Sequence, residues 1–331
     1  MQKQKTILVI GATGAMGRAV VEQLLTQAPD AFRVRIYTRD PTSPQALRLL
    51  AQGGPRIEAA RGDIGSGDQL AAALQGVDGV FCNTDFGNAR SVSGEYEQGV
   101  RALEAAQKAG VQHFIWSSLD ACSTLSGGRL PVPHYDAKAA VAHYIDRQRS
   151  DEFLRQDGDG FYSRHVSTLI TGPYYENLMT LFRPRPGKLR DGRDGMIFAF
   201  ASGGKPYPMV ALDDIGWFAA HLFQNPEKFV GRTLPIMSQS LTLDEVAQTF
   251  TRVTGIPAEH QDIPLEVQWP AAMPIAHDLW NMQRYVQEIG WQRDYDALRR
   301  IHPGLQSFET WLRRTGWQGE AREVQKAFAR R

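Results

Sequence analysis

Tyr135 and Lys138 stand three residues apart in the stretch VPHYDAK, residues 132–138. A lysine next to a phenol is a pairing that can move a proton onto a carbonyl, provided both groups reach the substrate. On a helix, groups four apart share a face, whereas groups three apart are displaced around it. The residue four before Lys138 is His134, so an imidazole holds the phenol's place, and Tyr135 points partly away unless the helix begins at this point. His134 suits a proton relay near neutral pH or plain packing. Ser117 and Ser118 close the apolar run HFIWSS, where a hydroxyl either polarises a carbonyl or bonds the backbone at a strand end.

A second cluster has the chemistry of anion binding. The apolar run TILVI leads into GATGAMG and then into the amphipathic RAVVEQLL. Gly11 permits a tight turn, Gly14 lets the backbone approach a pyrophosphate, and Gly17 lets helix and strand pack closely, with Ala12, Thr13, Ala15 and Met16 completing the loop. The helix that follows presents free N–H groups and a positive dipole end. The second apolar run ends IYTRD, which puts Thr38 and Arg39 where an acidic residue would select NAD. Arg39 can fork onto a 2′-phosphate and stack on adenine, so NADP(H) is the expected cofactor; the alternative is a solvated Arg39–Asp40 pair. Asp63 and Ile64, after the third run, are expected at the adenine edge, and Asn83 and Thr84 follow the fourth. Lys138 then has three candidate roles: a solvated surface lysine, an anchor for the nicotinamide ribose, or a proton-transfer group.

Positioning these residues requires alternating strands and helices. Strands are expected at 6–10, 33–38, 56–60, 79–83, 113–118 and 165–170, and helices at 15–27, 44–52, 67–74, 92–109 and 134–149. This alternation gives a doubly wound parallel sheet with its crevice at the carboxyl ends of the first and fourth strands. Residues 1–170 form the Rossmann-type domain, and 171–331 a smaller interleaved α+β domain, with a strand at 233–237 returning to the main sheet. Residues 147–164, charged and glycine-broken, read as an exposed insertion. Residues 181–195 carry Arg183, Arg185, Lys188, Arg190 and Arg193 in what reads as a mobile loop or a partner-docking loop. The stretch LDDIGWFAAHLFQN reads as a helix capped by Asp213 or Asp214. Trp269, Trp280, Trp291, Trp311 and Trp317 read as core.

With 37 basic against 36 acidic side chains, the chain lacks the clustered charge that draws proteins to nucleic acid or anionic membranes. Cys82 and Cys122 have no neighbouring ligands at metal spacing, which suits a reduced, cytoplasmic setting. The opening MQKQKTILVIG reads as a strand entering a turn, not as a signal segment, and no membrane span is expected.

Taken together, GATGAMG, YTRDP, the Gly62–Asp63 pair, FIWSSLD, GRLPVPHYDAKAAVAHYI and GPYYENLM resemble the NmrA-like proteins, atypical members of the short-chain dehydrogenase superfamily, and within them the branch of NADPH-sensing regulators. The resemblance implies that Gly11 to Gly17 cradle the pyrophosphate, Arg39 takes the 2′-phosphate and Lys138 bonds the nicotinamide ribose. It implies also that Tyr174, Tyr175 and Asn177 line the nicotinamide end of a cleft between domains. Two functions follow from it. One is a redox sensor signalling through a protein partner or a homodimer; the other is an NADPH-dependent reductase of a small carbonyl, imine or enone bound in that cleft, with Lys138 in proton transfer.

Overall fold

Two buried apolar runs meet at the centre of the main sheet of this computed structural model, which describes residues 4–89 and 91–324. β1 (Lys5–Ile10) is buried from Ile7 onward, and β4 (Gly79–Cys82) is buried throughout. Strands covered on both faces by crossover helices read as continuous apolar runs, and these do. β2 (Phe32–Thr38), β3 (Ile57–Arg61), β5 (His113–Ser118) and β6 (Val166–Ile170) complete the expected six. β7 (Arg185–Lys188), β8 (Asp194–Ala199) and β9 (Tyr207–Met209) intervene before β10 (Thr233–Pro235), followed by β11 (Gln239–Leu241) and β12 (Ala258–Gln261).

The main sheet has seven strands in the order β10-β6-β5-β4-β1-β2-β3. The seventh is the returning strand, with Thr233 opposite Thr168 in parallel register. The order reverses between β1 and β4, where Ile10 pairs with Cys82, so a crevice opens at those two carboxyl ends. On one face Leu8, Phe114 and Trp116 pack with Leu103, Val141 and Ile145 of helices Val92–Lys108 and Pro133–Leu154. Helix Ala15–Gln27 buries Val20, Val21 and Leu24. Gly216 lets the helix Leu212–Gln224 approach it so closely that a Cβ there would stand 2.4 Å from the Ala19 carbonyl oxygen.

The chain divides into two compact units. The first takes the residues up to Asp120, His134–Thr171 and Ile215–Pro235; the second takes Ala121–Pro133, Gly172–Asp214 and the chain from Ile236. Beyond the returning strand expected at 233–237, the chain crosses between the units at 121–133 and again at 215–232, and no composition shift marks these crossings. The second unit holds a three-stranded sheet, β12-β8-β7, and the antiparallel pair β11-β9. Trp269, Trp291, Trp311 and Trp317 are buried in it, while the half-buried Trp280 donates from Nε1 to the Trp269 carbonyl at 2.8 Å.

Three expectations need correction. Residues 147–164 are not an exposed insertion throughout: the helix continues to Leu154 and a short helix, Phe161–His165, follows. Buried Glu152 draws the segment in, accepting from Tyr162 N (2.9 Å) and Ser163 N (2.8 Å). Residues 181–195 are no irregular loop, since β7 and β8 pair as an antiparallel hairpin and Lys188 faces Asp194 at 2.9 Å. Asp213 and Asp214 lie inside the first turn of their helix. Glu176 serves that helix end instead, accepting from Leu212 N at 3.1 Å, while Asp214 accepts from His302 Nε2 and Gln306 N, both at 3.0 Å.

Candidate functional site: a glycine cradle and a buried lysine

The turn after β1 exists only because two positions lack side chains. Gly11 has φ +83°, and a Cβ there would come within 2.4 Å of the Asn83 carbonyl oxygen; at Gly17 it would come within 2.1 Å of Gly11 O. Gly14 is the N-cap of helix Ala15–Gln27, and no side chain caps it. Among the described residues the first-turn N–H groups thus lack a capping side chain at the sheet's switch point, which is the arrangement a pyrophosphate fits. Ala12 and Ala15 are buried behind the turn, Thr13 is half-buried, and Met16 Sδ accepts from Ser117 Oγ at 3.1 Å.

At the carboxyl end of β2, Thr38 is buried and its Oγ1 accepts from Asp40 N at 3.3 Å. Asp40 turns its carboxylate onto Thr42, accepting from the hydroxyl at 2.6 Å and the backbone N–H at 2.9 Å. Those bonds, with a smaller effect of Arg61, hold the carboxyl below its usual pKa range. The solvated Arg39–Asp40 pair is therefore not what forms. Arg39 is exposed and among the described residues reaches only Asn88 Oδ1, at 3.5 Å. Arg61, a residue the sequence reading passed over, is paired with Thr38 across β2 and β3. Neighbours in register project to the same face, so Arg61 shares the face of Thr38 at this end of the sheet. The visible signal was its position two residues before Asp63. Asp63 Oδ1 accepts from Gly65 N at 2.7 Å, and its carbonyl accepts from Tyr37 Oη at 3.0 Å, a phenol that burial pushes up to about 12. Ile64 packs against the core.

Lys138 lies in the second turn of helix Pro133–Leu154 and is buried. Its Nζ donates toward Thr84 O (2.8 Å), Thr84 Oγ1 (2.9 Å) and Asn83 Oδ1 (3.2 Å), and lies 2.9 Å from Glu95 Oε1. The Trp116 ring centroid is 5.7 Å from the same ammonium. Of the three roles weighed for Lys138, the solvated surface lysine is excluded. Glu95, on helix Val92–Lys108, was missed: it is fully buried and accepts from Thr84 Oγ1 at 2.6 Å. Spacing alone offered no signal for it, because the pairing crosses between elements far apart in sequence.

The remaining candidates divide. The helix does begin at Pro133, which places His134 and Tyr135 in its first turn. Tyr135 is buried, its ring 4.8 Å from that of His134, and His134 also meets Phe86 at 6.3 Å. Ser118 Oγ is fully buried and faces the carbonyls of Lys138 and Leu119, both at 3.2 Å. It therefore supports the backbone under Lys138. Tyr174, Tyr175 and Asn177 belong to the second unit. Tyr175 is fully buried there, its hydroxyl 3.0 Å from Ser238 Oγ and its ring 5.5 Å from both Phe308 and Trp311. It is packed as a core residue of the second unit. Tyr174 and Asn177 are half-buried. Between them Glu176 accepts from Trp311 Nε1 at 2.8 Å, and burial pushes its carboxyl up to about 7.

Seven parallel strands in this order, with a glycine turn and an uncapped helix end at the first crossover, define a doubly wound nucleotide-fold protein. A model of the NmrA-like family matches residues 3–312, and the chain belongs to that family. It is 27% identical over 323 residues to an NmrA-like family domain-containing protein of Dictyostelium discoideum, covering 95% of this chain and 99% of the relative. It is 29% identical over 302 residues to the NmrA-like family domain-containing oxidoreductase FrzB of a Cladobotryum species, covering 86% and 84%. The fold matches crystal structures of Nmra, a negative transcriptional regulator, in complex with NADP (TM-score 0.72) and with NAD (TM-score 0.73); each is 21% identical and covers 94% of this chain and 95% of the other.

Proposed function

We propose that the chain binds NADP(H) at the carboxyl ends of β1 and β4 and acts as a redox-sensing regulator. In this reading the first-turn N–H groups and the glycine turn hold the pyrophosphate, and Arg39 binds the 2′-phosphate with Asp40 folded out of its way. Lys138 anchors the nicotinamide ribose. The bound nicotinamide supplies hydride-transfer capacity, and a sensor reads which oxidation state is present through unequal affinity. That state passes to a protein partner or a second copy of the chain in a reducing, cytoplasmic setting. One observation carries the choice of regulator over enzyme: His134 holds the position four before Lys138, and Tyr135, three before it, is buried with its ring 4.8 Å from that imidazole, which argues against a phenol–lysine pair aimed at a substrate carbonyl.

The second reading, an NADPH-dependent reductase of a small carbonyl, imine or enone, draws support from the oxidoreductase name of the Cladobotryum relative. A panel of such compounds, with NADPH absorbance followed for the wild type and Lys138→Ala, separates the two. The regulator reading expects no turnover and different affinities for NADPH and NADP⁺. Turnover that disappears in Lys138→Ala would overturn it in favour of the reductase.

A further inference from the structure

We propose that Glu95 is a positioning residue of the cofactor site, fixing the direction in which Lys138 holds its ammonium. The inference rests on the NADP(H) reading above. Glu95 acts twice on the same nitrogen. Its Oε1 lies 2.9 Å from Lys138 Nζ, and the same oxygen accepts the Thr84 hydroxyl proton at 2.6 Å. With that proton committed to the carboxylate, Thr84 Oγ1 can only accept from Lys138, at 2.9 Å. The carboxylate thus sets both its own contact and the polarity of the next one.

Placement argues against a purely structural ion pair. Burying two charges costs desolvation that their attraction does no more than balance, and apolar replacements often serve stability equally well. Glu95 Oε2 is buried with no hydrogen-bond partner among the described residues, a further cost a structural pair would avoid. The pair also adjoins the glycine turn through one residue. Asn83 presents its backbone oxygen where Gly11 has no Cβ and its Oδ1 at 3.2 Å from Lys138 Nζ. Ser118 Oγ and Trp116 Nε1 hold the carbonyl of the same lysine at 3.2 and 3.0 Å. Backbone and ammonium of Lys138 are thereby both fixed, the latter by Glu95.

The test uses Glu95→Gln, Lys138→Met and the double variant of the full chain, with two readouts: NADPH affinity by calorimetry, and the rate at which an amine-reactive reagent labels Lys138, followed by mass spectrometry. Each single variant should weaken NADPH roughly tenfold or more, the loss of a hydrogen bond to a charged group. The double variant should be no weaker than Lys138→Met alone, because Glu95 acts only through Lys138. Glu95→Gln should also label faster at Lys138 than the wild type. The inference is overturned if Glu95→Gln keeps wild-type affinity and labelling, if the two losses multiply in the double variant, or if Lys138→Met leaves affinity unchanged. Should the wild type bind no NADPH, the cofactor reading falls, and labelling alone still decides whether Glu95 restrains the lysine. If Glu95→Gln does not fold, Glu95→Asp keeps the charge with a shorter reach, and the same two readouts apply.

Discussion

Removing the Arg39 guanidinium should separate two cofactors that differ by one phosphate. Arg39 is exposed, and among the described residues its hydrogen bond to Asn88 Oδ1 is at the 3.5 Å limit. Arg39→Ala therefore takes almost nothing from the unliganded fold, and its melting temperature should match the wild type. A charge-assisted hydrogen bond contributes about 1.5–3 kcal/mol, which corresponds to roughly 10- to 150-fold in affinity. Exposure and salt push the effect toward the lower end. The expected result is NADPH weakened about tenfold and NADH unchanged, measured by calorimetry at low and at high salt, with the gap narrowing as salt rises. Equal losses for both cofactors, or none for NADPH, would refute the assignment of Arg39 to the 2′-phosphate.

Two further outcomes follow from the geometry. Gly17→Ala drives a Cβ into backbone, 2.1 Å from Gly11 O; overpacking of this kind costs about 1–3 kcal/mol, so thermal unfolding should show a melting temperature several degrees lower together with impaired NADPH binding. Glu176 is raised by burial to about 7 from an ordinary 4.5, so the folded state binds the proton more tightly. The stability it contributes is full below 4.5 and is lost as pH rises through 7, by up to about 3 kcal/mol. His113, depressed to about 3 by burial, has the opposite sign, adding stability as pH rises from 3 to 6.5. Denaturant titrations of wild type and Glu176→Gln between pH 5 and 8 isolate the difference: the variant should lack the decline that Glu176 produces, and parallel curves would contradict this.

The main sheet was legible because each of its strands is an apolar run with turn residues at its ends, and the glycine loop because its steric demands leave few alternatives. The returning strand at 233–235 was legible for the same reason. Other features required structure. Glu152 converts a charged, glycine-broken stretch into a helix end by accepting two backbone N–H groups, a long-range effect that local composition contradicts. Tyr175 sits in a motif whose resemblance pointed toward the cofactor, yet Phe308 and Trp311, more than 130 residues on, enclose it. Lys138 could be singled out from sequence, but its role turns on Glu95, and ion pairing between separate helices leaves no periodic trace.

The most direct test of the account is a calorimetric titration of NADPH into the purified wild-type chain, with Gly17→Ala as the variant whose glycine turn is forced against its own backbone. The account predicts saturable one-site binding to the wild type that is severely weakened in the variant. Absence of binding heat from the folded wild type at more than one temperature, or equal binding by both proteins, would contradict it.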